Sequence, residues 1–147
     1  MNTNKMILTI EAKSQNESFA RSVVGAFFSQ LNPTIEQIED LKTAVSEAVT
    51  NCIVHGYRGT EGMIILGAKS FDDRSVRITV IDHGCGIADV AQARTPLFTT
   101  CPDEDRCGMG FSIMESFSDR LTVVSAPGKG TRITLTRKLA SPLKGNT

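Results

Sequence analysis

One stretch constrains this chain more than any other. Between Thr34 and Gly56, Ile38, Leu41, Val45, Ala48 and Cys52 return every three to four residues and make one side of a helix continuously apolar. Such a stripe is stable only against a second layer, so the rest of the chain has to supply one. Thr34 with Gln37 has the spacing of a capping box that starts this helix, and Gly56 ends it. Ser14 and Glu17 repeat the capping spacing upstream. Phe19, Val23, Ala26, Phe27 and Leu31 then recur at helical intervals until Asn32 and Pro33 break the run.

The second layer reads as strands. Met6, Leu8 and Ile10 alternate with polar residues over 5–11, the period of a strand with one buried face. After a turn at residues 59–62, segments 63–69 and 75–81 are rich in β-branched residues and are separated by Asp72-Asp73-Arg74, the pattern of a hairpin. Residues 111–118 resume a helical period. Segments 121–125 and 132–136 form two more strands around Pro127-Gly128-Lys129-Gly130. The expected fold is α+β, a two-layer sandwich with a mostly antiparallel sheet, helices on one face and the other face open to water or a partner.

With 147 residues the chain is expected to form a single domain over residues 1–139, with loss of order after Lys138 and a disordered tail at 140–147. Sixteen basic and sixteen acidic side chains cancel, so no long-range positive field draws nucleic acid or an anionic membrane. No apolar run approaches the ~20 residues needed to span a bilayer, and residues 1–11 lack the pattern of a secretory signal. A cytoplasmic protein is expected. Cys52, Cys85, Cys101 and Cys107 show no paired spacing for zinc. Reduced thiols are expected, Cys101 with Cys107 being the pair that a loop could bring together.

Three polar constellations stand out. Glu47, Asn51 and His55 follow at four-residue intervals on one side of the second helix, away from its apolar stripe, as a pocket wall or a solvated face would. Asp82-His83-Gly84-Cys85-Gly86-Ile87 comes directly after a strand. Its two glycines suit either close approach of a ligand or an ordinary tight turn. Gly108-Met109-Gly110-Phe111 opens a helix, where free N–H groups and the helix dipole face an incoming phosphate or are simply capped. Between Asp82 and Gly110 the periodicity is weak, and loops that long are usually functional or disordered.

The ordered set of helix carboxylate and amide, DxGxG, a long loop, GxG opening a helix, and Gly128-Lys129-Gly130-Thr131 resembles the Bergerat ATP-binding fold of gyrase and histidine kinases. Residues 47–57 (EAVTNCIVHGY), 96–100 (PLFTT) and 108–115 (GMGFSIME) resemble the sporulation anti-sigma F factors more closely, and the likeness runs from about residue 6 to 139.

That resemblance implies a serine protein kinase that uses ATP and Mg²⁺, binds a sigma factor, and phosphorylates an anti-anti-sigma protein. Glu47 would be the base and Asn51 the magnesium ligand, a side-chain carbonyl oxygen suiting a hard cation. Asp82 would accept the adenine amino group, with Gly84, Gly86, Ile87 and Thr131 around the base and His55 on the pocket wall. Gly108, Met109, Gly110 and Phe111 would cradle phosphates. Arg106 would stabilise charge during transfer, and Thr99 and Thr100 would touch nucleotide or partner. Arg21 would grip a partner carboxylate. A homodimer through the sheet is implied as well. Two other functions stay open: a general-stress anti-sigma kinase of the same family, and a nucleotide-gated sigma-binding module without transfer. Cys101 and Cys107 depart from the more polar residues that the resemblance implies for the long loop between Asp82 and Gly110.

Overall fold

The computed structural model describes residues 1–94 and 110–140. Strand β1 (Asn2–Glu11) leads into helices α1 (Gln15–Ser29) and α2 (Ile35–Asn51), and α2 continues into a π-helical turn at Cys52–Gly56. The hairpin β2 (Met63–Phe71) and β3 (Ser75–Asp82) follows, then the short helices α3 (Val90–Ala93) and α4 (Gly110–Ser116), then β4 (Arg120–Ser125) and β5 (Thr131–Lys138). The five strands lie in the order β1-β2-β3-β5-β4, with every neighbouring pair antiparallel.

Alternation along the strands sorts the side chains. Ile64, Leu66 and Ala68 of β2, Val76, Ile78 and Val80 of β3, and Ile133 and Leu135 of β5 all point to one face and are buried. There they meet Ala20, Val24 and Phe28 of α1 and Leu41, Val45, Ala48 and Val49 of α2. Burying side chains such as Phe28 or Leu41 contributes about 1.5–3 kcal/mol each. The opposite sheet face stays open, with Ile7 of β1 exposed. The α+β sandwich expected from the periodicities is therefore the fold observed.

The two expected helix starts fare differently. At α2 the Thr34 hydroxyl accepts from the Gln37 N–H at 3.1 Å, and the Thr34 N–H donates to Gln37 Oε1 at 3.0 Å, a complete capping box. At α1 the expected Ser14–Glu17 box does not form. Ser14 already has helical dihedrals, and its carbonyl takes the Glu17 N–H, so its side chain is not placed to cap. The α1 stripe is also shifted by one residue. Ala20, Val24 and Phe28 are buried, whereas Phe19 is 50% exposed and Ala26 faces solvent.

Order persists past Lys138. The Leu139 side chain is buried and its N–H donates to the Arg74 carbonyl, while the Arg74 guanidinium donates to the Ala140 and Leu31 carbonyls, each at 2.9 Å. Arg74 turns the β2–β3 hairpin at a φ of 69°. One residue thus ties the hairpin to both the α1–α2 connection and the end of the sheet.

Candidate functional site

A cleft opens where the end of α2 meets the end of β3, lined by Asn51, His55, Gly56, Arg58, Asp82, Gly86, Ile87 and Thr131. The sheet register explains its floor. Asp82 is the last residue of β3 and lies between Ile64 of β2 and Thr131 of β5, which makes a carboxylate at a strand end both central and deep. Its side chain is nearly inaccessible, at 2% exposure, yet still borders the cleft. One oxygen accepts the Gly84 N–H at 2.9 Å. The carboxylate packs so closely on Gly56 that a side chain there would fall 2.8 Å from Asp82 Oδ2. A buried carboxylate needs a hydrogen-bonding partner. Cys52, one helical turn before Gly56 and fully buried, has its thiol pushed up, first by burial and then by the Asp82 charge, so it stays protonated beside that carboxylate.

The helix face holds the expected trio unevenly. Asn51 and His55 line the cleft. Glu47, a turn earlier on α2, is half-buried and points toward α4, where a Cβ on Gly110 would sit 3.4 Å from Glu47 Oε2. The π-helical turn closes with the Tyr57 N–H donating to the Cys52 carbonyl at 2.8 Å, which changes the direction of the chain just beyond His55.

The DxGxG glycines act mainly within the protein. A side chain at Gly84 would collide with the Gly56 carbonyl, and one at Gly86, whose φ is +75°, with the Ala126 carbonyl. The close approach that the sequence suggested for a ligand is at Gly84 an approach of the loop to the end of α2, secured by the Cys85 N–H donating to Gly56 O at 2.9 Å. Gly86 does border the cleft.

Two residues that the sequence reading did not assign hold this loop. The Tyr57 hydroxyl donates to the Met63 carbonyl at 2.5 Å and accepts the His83 N–H at 2.8 Å, bracing β2 against the DxGxG loop. Ser125 accepts the Ile87 N–H at 2.8 Å, donates to Gly130 O at 2.7 Å, and lies 2.9 Å from the Thr131 hydroxyl. Since its one hydrogen goes to Gly130, Thr131 must be the donor of that last pair, and the Thr131 oxygen keeps lone pairs for a ligand or water. No sequence signal marks either residue, because both act through tertiary approach.

Of the other expected site residues, Phe111 is buried in the core, which leaves only its backbone for a ligand. Gly110 is the first residue of α4, a helix of only seven residues. Arg21 is exposed on α1. Thr99, Thr100, Arg106, Gly108, Met109, Cys101 and Cys107 lie outside the described residues. Of the remaining cysteines, Cys52 and Cys85 are free thiols.

The pattern of the histidine kinase-like ATPase domain family matches residues 10–137. An anti-sigma F factor from Thermoanaerobacter pseudethanolicus is 55% identical over 140 residues, covering 95% of this chain and 96% of that protein. The chain belongs to the anti-sigma F factor family. A second anti-sigma F factor, from Clostridium novyi, is 53% identical over 141 residues, covering 96% of this chain and 99% of its own. Among solved structures, the RsbU and RsbW domains of a Mycobacterium tuberculosis protein superpose with a TM-score of 0.68 at 23% identity, over 95% of this chain and 33% of that one. The histidine kinase domain of a blue-light-activated kinase from Erythrobacter litoralis superposes with a TM-score of 0.53 at 20% identity, over 86% of this chain and 60% of its own. These two show the shared fold.

The donors in the cleft suit Mg-ATP. A buried carboxylate at the floor matches an exocyclic amino group, and the Asn51 amide oxygen is a hard donor for magnesium. Among the described residues no group of three or more His, Cys, Asp or Glu side chains gathers to cage a metal. Magnesium usually takes several of its ligands from phosphates and water. No helix among the described residues is long and apolar enough to cross a membrane.

Proposed function

We propose that this chain is an anti-sigma factor that binds a sporulation sigma factor and uses Mg-ATP to phosphorylate a serine on an anti-anti-sigma protein. The observation that carries this reading is the buried Asp82 carboxylate, facing a cleft that it shares with Asn51 and Thr131, with Glu47 one helical turn beyond Asn51. The names of the relatives, anti-sigma F factor, support a sigma factor as partner.

Each residue then has one task. Asp82 accepts the adenine amino group, and Thr131 offers its free lone pairs beside it. Asn51 would hold the magnesium ion, which supplies charge neutralisation on the phosphates when bound. Glu47 accepts the serine proton as the oxygen–phosphorus bond forms and the bond to ADP breaks. Arg106, Gly108 and Met109 take the phosphate roles that the family likeness gives them. The open sheet face, where Ile7 is 76% exposed, suits a homodimer.

The test is phosphate transfer followed by mass spectrometry, with purified protein, ATP, magnesium and a candidate antagonist, beside an Asn51→Ala control. Stoichiometric phosphoserine on the antagonist, lost in the control, is the expected result. Tight ATP binding without transfer to any antagonist tried would overturn the kinase and leave a nucleotide-gated binding module. Pull-down with competing sigma factors separates a sporulation partner from a general-stress one.

A further inference from the structure

Arg58 borders the cleft together with Asp82, but the two do not form an ion pair, and among the described residues the Arg58 guanidinium has no hydrogen-bonding or ionic partner. Its backbone is unusual as well. At a φ of 53° it occupies the left-handed region that few residues other than glycine adopt, and Gly59 after it has a φ of 80°. An undemanding surface turn would place asparagine or glycine there.

The neighbours hold this conformation firmly. Before it, Tyr57 is anchored by its N–H to Cys52 O at 2.8 Å and by its hydroxyl to β2 and the DxGxG loop. After it, the Thr60 N–H donates to Tyr57 O at 3.0 Å and the Thr60 hydroxyl donates to the same oxygen at 2.5 Å. The turn therefore presents one unpartnered guanidinium at the mouth of a cleft whose floor is a carboxylate. Strain retained at a fixed position beside a cleft points to a role there.

Resting on the nucleotide reading above, we propose that Arg58 stacks its guanidinium on the exposed face of the bound purine and so sets how tightly the base is held. Position selects the base over the phosphates. Arg58 is two residues past Gly56, which touches Asp82, whereas Glu47 lies nine residues before Gly56, roughly 13 Å back along the helix at 1.5 Å per residue. The transferred phosphate belongs at the Glu47 end, beyond the reach of this side chain. A planar guanidinium over an aromatic face is favourable, and a flat ring between Arg58 and Asp82 satisfies both.

The test is equilibrium binding of adenosine, ADP and Mg-ATP to the full chain and to Arg58→Gln, Arg58→Gly and Arg58→Lys, at low and high salt. Glycine suits the backbone conformation, so Arg58→Gly keeps the test independent of folding. The expected result is binding about three- to fivefold weaker for Gln and Gly with all three ligands alike, little dependent on salt, and partly restored by Lys. The melting temperature of nucleotide-free Arg58→Gly should be unchanged or raised. Unchanged affinities in Gln and Gly overturn the proposal. So does a loss that grows from adenosine to ATP and fades in high salt, which would make Arg58 a phosphate contact. Failure of the parent protein to bind any of the three would overturn the nucleotide reading itself, a result separable from both.

Discussion

Replacing Tyr57 with Phe removes one oxygen and keeps the ring, which makes it a narrow probe of the brace beneath the cleft. The hydroxyl satisfies two backbone groups, the Met63 carbonyl at 2.5 Å and the His83 N–H at 2.8 Å, from a residue only 8% exposed. Leaving a buried polar backbone group unpaired costs about 1–3 kcal/mol, and both bonds here are partly buried, so the low end applies to each. The expected loss of stability is about 2 kcal/mol. For a domain near this size that corresponds to roughly 4–8 °C in melting temperature. His83 directly follows Asp82, so ATP binding should weaken in the same variant, whereas a purely global loss of stability would leave affinity unchanged below the melting transition. Denaturant titration and ATP binding on the same preparation separate the two effects. A variant within about 0.5 kcal/mol of the parent, a range typical of ordinary surface substitutions, would refute the brace.

Glu47→Ala is expected to lower phosphate transfer by about 10²–10⁴-fold while ATP affinity stays near that of the parent, since the base acts on the hydroxyl and not on the phosphates. Equal loss of both, measured by single-turnover transfer and equilibrium binding, would remove Glu47 from that role. Cys52 gives a pH signature. Its folded pKa lies above the unfolded value of 9.0, so the folded state holds the proton more tightly, and the stabilisation is fully present below 9.0 and is lost as pH rises through the raised folded value. Urea midpoints should therefore fall above pH 9.0 in the parent and fall less steeply in Cys52→Ala.

What was legible in the sequence followed from local rules. Thr34 and Gln37 cap α2 because both partners lie within one turn, and the alternation through β2 and β3 set the buried face that Ile64, Leu66, Ile78 and Val80 share. Ser14 and Glu17 had the same spacing but failed, since Ser14 is drawn into helical dihedrals and spacing alone does not fix the conformation of a cap. The α1 stripe lies one residue from the expected register, with Ala20, Val24 and Phe28 buried, because Phe27 and Phe28 adjoin and helical spacing alone does not say which of them faces the core. Of the residues that the family resemblance implies, Asn51, His55, Asp82, Gly86, Ile87 and Thr131 border the cleft. Tyr57, Arg58 and Ser125 were not legible, because their positions depend on a π-helical turn and on loops meeting from separate strands, which no short-range pattern records.

The pairing of Asp82 with Thr131 across β3 and β5 also bears on how the molecule comes into being. On the ribosome, β1 and both long helices emerge first but must wait for β2, whose Lys69 pairs with Lys5 across the whole helical segment. The β2–β3 hairpin is local in sequence, so before β5 is made Asp82 would lie at the edge of an unfinished sheet. Only when the chain has been made as far as β5 does the floor of the cleft exist. An unfinished chain cannot assemble the whole cleft, so retention on immobilised nucleotide would separate finished molecules from fragments stalled before Thr131.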